Sequence, residues 1–152
     1  MAPAQAILLA KLDTQKRVRD FLTNAVASGR ASHAYLFLGA PGAGKLDAAW
    51  ALAQAFLCEQ DGCGSCDSCV RVARHTHPDV HYYTPESATG YLIAQTRELL
   101  DDVPLAPIRA KAKVYIIDRA EQLRANTANA LLKTLEEPPE GVMFILLGTS
   151  AD

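Results

Sequence analysis

Four cysteines, Cys58, Cys63, Cys66 and Cys69, follow one another in the pattern C-x4-C-x2-C-x2-C, and the chain has no others. Two-residue spacers let neighbouring thiolates wrap one ion, and Gly62 and Gly64 permit the tight turns around it. Tetrahedral zinc is the chemistry this set fits best. An iron–sulfur cluster is the rival, because Cys63, Cys66 and Cys69 reproduce part of a ferredoxin run; the fourth ligand lies upstream, however, and no Cys-Pro follows. Two disulfides are the remaining alternative, disfavoured in the cytoplasm. A shell of four thiolates leaves no open position for water, so the expected zinc is structural. His75, His77 and His81 lie close enough in sequence to be spare ligands, but read first as ordinary loop and strand residues.

A second constellation precedes the cysteines. HAYLFLGAPGAGK, His33 to Lys45, reads as a short buried strand over 34–38 running into a glycine-rich turn and then a helix. Gly39, Gly42 and Gly44 let the turn curl so that backbone N–H groups face an anion. Lys45 and the helix N-terminus add positive charge where nucleotide phosphates would lie. The pattern G-x-x-x-x-G-K-[ST] holds at Gly39, Gly44 and Lys45 and breaks at Leu46, where a hydroxyl would normally ligate Mg2+. Phosphate binding, with ATP or ADP as the ligand, is thus compatible with the loop, whereas its magnesium is in doubt. A bare strand-to-helix turn with no ligand is the plainer alternative.

A third stretch, VYIIDRAEQL, ends an apolar strand on Asp118, the position from which a phosphate-loop nucleotidase anchors Mg2+. The residue after it, often a glutamate that orients water, is Arg119, and Glu121 is expected to point elsewhere. Asp118 would otherwise be a helix cap or a surface acid.

Helices and strands must position these groups. Residues 15–27 put Val18, Phe21, Leu22, Ala25 and Val26 on one helical face, ended by Ser28 and Gly29. Residues 46–57 are apolar almost all round, as in a helix buried on several sides. After a cysteine-rich loop, 79–84 predicts a second strand, 91–103 a helix with Ile93, Thr96, Leu99, Leu100 and Val103 inward, and 113–118 a third strand. A helix follows over 127–137, with Asn126 as its expected cap and Pro138 and Pro139 as its stop, and a fourth strand over 142–147. Apolar strands alternating with helices predict an α/β fold with a mainly parallel sheet covered on both faces. Ligands of such sheets gather at the strands' carboxyl ends, where the glycine turn, Asp118 and Thr149 all fall.

The 152 residues suit one domain, 49% hydrophobic and 21% charged, and a net charge of −2 argues against a whole-domain footprint on nucleic acid. Arg71, Arg74 and His75 offer at most a small basic edge. The opening MAPAQAILLAKL lacks the basic leader and long apolar run of a signal or membrane span, so a cytoplasmic location is expected.

The segments SHAYLFLGAPGAGK, the cysteine excursion at 58–69, HPDV at His77 to Val80, KVYIIDRAEQL and NALLKTLEEPP at Asn129 to Pro139 together resemble the clamp-loader subunits of bacterial DNA polymerase III, within the AAA+ ATPases. The resemblance implies a three-layer AAA+ P-loop domain over 1–152 with an inserted zinc module, the lid and collar domains lying outside this chain. It implies a fifth strand after the fourth, without which a sheet edge is left uncovered. It also implies assembly with gamma/tau and delta subunits, a sliding clamp and, through the complex, primed DNA. Two kinds of subunit share the layout, an ATP-hydrolysing gamma/tau motor and a delta prime stator. Leu46 and Arg119 depart from the motor pattern and favour the stator, which would not hydrolyse ATP by itself. Thr149 falls near the family's sensor position, and Lys133, Glu136 and Glu137 mark a candidate subunit interface. The stator's arginine finger would lie beyond Asp152.

Overall fold

The structure, a computed structural model, describes residues 16–40 and 44–149. Gly42 of the expected phosphate loop falls outside them. The elements, in chain order, are helix α1 (Lys16–Ala27), strand β1 (Ala34–Leu38), α2 (Lys45–Leu57), α3 (Asp67–Ala73), β2 (Val80–Tyr83), α4 (Ile93–Asp102), β3 (Lys113–Ile117), a short 3-10 turn (Ala120–Gln122), α5 (Ala125–Glu136) and β4 (Val142–Gly148).

The four strands form one parallel sheet in the order β1-β4-β3-β2. Side chains alternate across a strand, and here the alternation divides the interior in two. Val114, Ile116, Met143, Ile145 and Leu147 face α1, α2 and α3, packing with Leu22, Val26, Leu52 and Val72. Tyr115, Ile117, Val142 and Phe144 face the other way, onto Leu99 of α4 and Leu131 of α5. The result is three layers, helix–sheet–helix, as expected from the uninterrupted apolar runs of β3 and β4.

Some sequence expectations are corrected. β1 is half-buried: it pairs with β4, and Leu36 and Leu38 remain 59% and 45% exposed. The cysteine excursion contains a helix, α3, that periodicity could not reveal in seven residues. Gln95 takes the inward place expected of Ile93, because its amide bonds the carbonyl of Thr84 (2.7 Å) and its oxygen accepts from the backbone N–H groups of Glu86 and Leu92, whereas Ile93 is exposed. The N-cap of α5 is Arg124, without a side-chain cap, and Asn126 sits inside the first turn. No helix among the described residues is long and apolar enough to cross a membrane.

Candidate metal centre and phosphate-loop site

The cysteine cluster forms because α2 ends at Cys58 and α3 begins just after Cys66, so a short excursion returns on itself. Positive φ angles at Asp61, Gly62 and Gly64 turn the chain. The four Sγ atoms all lie within 4.8 Å of one another, and those of Cys58 and Cys66 are 3.8 Å apart. A tetrahedral ion with sulfur ligands at about 2.3 Å requires S–S edges of roughly 3.8 Å. The donor set therefore fits a metal such as zinc, and the four thiols are free rather than paired in disulfides.

Backbone N–H groups support the sulfurs. Those of Gln60 and Cys63 point at Cys58 Sγ, that of Cys66 at Cys63 Sγ and that of Cys69 at Cys66 Sγ. Such donors favour the thiolate. Hydrogen bonds from Ser65, followed by the Cys66 N–H, lower the Cys63 thiol to about 6, while burial pushes Cys66 and Cys69 upward. Inside the fold, Gln54 of α2 donates to the carbonyl of Cys69 (3.1 Å). Among the described residues no histidine joins the cluster. His75 stacks on Trp50, with ring centroids 3.8 Å apart; His81 bonds Asp102; and His77 accepts the backbone N–H of Asp79.

At the opposite, carboxyl end of the sheet, β1, β3 and β4 deliver Gly39, Asp118 and Thr149 to one edge. Gly44 takes a left-handed φ of 89° as α2 begins, a conformation glycine adopts without penalty. Lys45 reaches across the edge and donates to the carbonyls of Gly39 (2.8 Å) and Gly148 (2.7 Å). Leu46 packs against the core below α2. Asp47 in the helix's first turn already complements the partial positive charge there.

Asp118 is held by protein donors on both oxygens, Tyr82 O–H on one (2.8 Å) and the Arg119 N–H on the other (2.9 Å). Arg119 adopts a left-handed φ of 48°, opening the 3-10 turn. That turn carries Glu121 toward the end of β4: its carboxylate oxygen would stand 3.6 Å from a Cβ placed on Gly148. Thr149 is exposed. Two supporting residues escaped the sequence reading. Tyr82 holds the Asp118 carboxylate, and Tyr91 donates to the carbonyls of Asp118 and, at 3.0 Å, Tyr83. Their signal, one tyrosine in a short strand and another in the loop after it, is too common to single out unaided.

A parallel sheet between two helical layers, with the sequence Gly39 to Lys45 joining its first strand to the next helix and a four-cysteine module after that helix, has the architecture of a phosphate-loop domain. Residues 14–152 match the family described as DNA polymerase III, delta subunit, and the chain belongs to that family. It is 41% identical to DNA polymerase III subunit delta' of Bacillus subtilis (strain 168) over 138 residues, 89% of this chain and 42% of that protein. It is 42% identical to DNA polymerase III subunit tau of Escherichia coli (strain K12) over 139 residues, 89% of this chain and 21% of that one. The chain thus spans less than half the length of these curated relatives. The crystal structure of a DNA polymerase III gamma subunit-related protein from Thermotoga maritima shares the fold, with a TM-score of 0.58 and 20% identity over 84% of this chain and 39% of that one.

Proposed function

We propose that the chain is the phosphate-loop domain of a clamp-loader subunit of DNA polymerase III, of the delta prime stator type, acting in the cytoplasm. It would assemble with gamma/tau and delta subunits, helping to place a sliding clamp on primed DNA. The observation that carries the stator reading is the pair Leu46 and Arg119, which removes a hydroxyl and a carboxylate from the two positions that would serve Mg2+ and water in a motor. Two further features support it. Lys45 is engaged by the Gly39 and Gly148 carbonyls, and Asp118 by Tyr82 and its own turn. In this reading Gly39, Gly42, Gly44, Lys45, Asp118 and Thr149 line a loop that holds ATP or ADP without turning it over, and Cys58, Cys63, Cys66 and Cys69 hold structural zinc.

The alternative, an ATP-hydrolysing gamma/tau-type motor, is favoured by the equally high identity to a tau subunit and by the approach of Glu121 to β4. One experiment separates the two. The full-length subunit carrying Lys45→Ala is assembled with its motor, delta and clamp partners, and clamp-dependent ATP hydrolysis is compared with wild type. Unchanged turnover in an intact assembly is expected. A large loss with assembly intact would replace the stator by the motor.

A further inference from the structure

Asp79 is fully buried, yet it is the acid of a loop far from the phosphate-loop edge. Its carboxylate accepts three consecutive backbone N–H groups, from Ile108 (2.6 Å), Arg109 (2.7 Å) and Ala110 (2.7 Å). Its own N–H donates to His77 Nδ1 (3.0 Å), and its carbonyl accepts from Val114 of β3 (2.9 Å). One residue therefore welds the segment before β2, the segment before β3 and β3 itself. A charged group is retained in such a place only when its hydrogen bonds are made. Here all of them fix one short loop.

That loop borders the cysteines. A cleft of about 460 Å3 is lined by Cys58, Cys63 and Cys66 together with His77, Arg109 and Lys111. Arg109 bonds Asp67, which lies between Cys66 and Cys69, through Nε (3.1 Å) and a terminal nitrogen (3.0 Å). Asp67 also holds Arg71, so the trio keeps one net positive charge. Lys111 makes no ion pair or side-chain hydrogen bond among the described residues. Four thiolates around a divalent ion carry a net charge of −2, which the surrounding charges must answer.

We infer that Asp79 is a positioning residue of the metal centre: by pinning 108–110 it holds Arg109 and Lys111 at the cysteine cleft, where they offset the charge of the thiolate-bound metal and tie the module to the sheet. This rests on the zinc reading above. Partners outside the ligand shell tune metal affinity by roughly ten- to a hundredfold, and these are supplied by a loop remote in sequence.

The test uses the purified chain loaded with zinc, its content determined by elemental analysis and its release followed by transfer to a chromogenic chelator. Wild type is expected to hold one zinc. Asp79→Asn is expected to release it roughly tenfold faster, and Arg109→Ala with Lys111→Ala, at two exposed side chains, to do nearly the same. Adding Asp79→Asn to that pair is expected to accelerate release little further, because all three substitutions remove one effect. Release from the Arg109/Lys111 variant at the wild-type rate would overturn the inference even if Asp79→Asn failed to fold. A multiplicative effect of Asp79→Asn in that background would overturn it too, leaving Asp79 a structural anchor only. Wild type without zinc would instead reject the zinc reading, and the inference with it.

Discussion

A carboxylate withdrawn from water raises its own pKa unless donors answer its charge. For Asp79 burial pushes upward, but the N–H groups of Ala110, Ile108 and Arg109 outweigh it, and the group lies below its ordinary value of 3.8. A depressed folded-state pKa contributes stability that is complete above the unfolded value and is lost as pH falls through the folded one. Wild-type stability should therefore decline with added steepness below about pH 4. Asp79→Ala should cost about 3 kcal/mol at neutral pH, since three buried donors lose their partner, and should flatten the acid limb; urea titrations at neutral and acid pH measure both. Equal slopes in the two proteins would contradict the assignment. At Lys45, replacement by Met leaves two carbonyls at the carboxyl edge without their donor and should cost about 1–2 kcal/mol in the same titration. At this scale the sequence announces types and spacings: the cysteines, the lysine and Asp118 could be named from it. The partners could not. Tyr82 reaches Asp118 across 36 positions and Asp79 reaches Ile108 across 29, and no local pattern encodes such pairings.

In the zinc reading proposed above, α3 is the element that depends most on the metal. Its seven residues are too few to hold a helix alone, and Cys66 at its start and Cys69 inside it both belong to the four-sulfur cluster. Chelation should raise amide hydrogen exchange across residues 58–73 while β3 and β4 keep their protection; uniform exchange along the chain would show that the module folds as one unit with the sheet. The turn before Tyr91 is similarly exacting. Gly90 has a φ of 130°, and a Cβ there would stand 3.0 Å from the carbonyl oxygen of Gln122. Gly90→Ala should cost about 2 kcal/mol or more through that contact and the backbone strain, and should disturb the amide resonances of Asp118 and Arg119 through Tyr91. Long periodic elements were legible because burial on one face repeats with the backbone. The start of α5 is not legible in sequence, because its N-cap is Arg124 with no side-chain cap at all, whereas the nearest polar capping residue is Asn126.

Across the whole molecule, neighbouring residues of one strand serve different halves of the interior. Met143 faces the helices α1–α3 and Phe144 faces α4 and α5. Removing either large side chain should cost about 2–5 kcal/mol. The two losses should add in a double variant, because the side chains lie on opposite faces of the sheet with no shared packing partners; strong non-additivity in thermal unfolding would mean that the layers are not energetically separate. The layered parallel architecture was legible because fully apolar strands have one common solution, burial on both faces. What the pattern could not give was the half-exposed state of β1, which depends on its place at one side of the sheet.

The seating of the cysteine module against α2 has an optical consequence. Trp50 is the chain's one tryptophan, and its indole is covered by the His75 imidazole at an interplanar angle of 11°. His75 belongs to the turn that closes α3, so the stack survives only while that turn is docked. The molecule thus carries a built-in fluorophore where the cysteine module meets α2, and the colour and intensity of its emission read out whether the two are together.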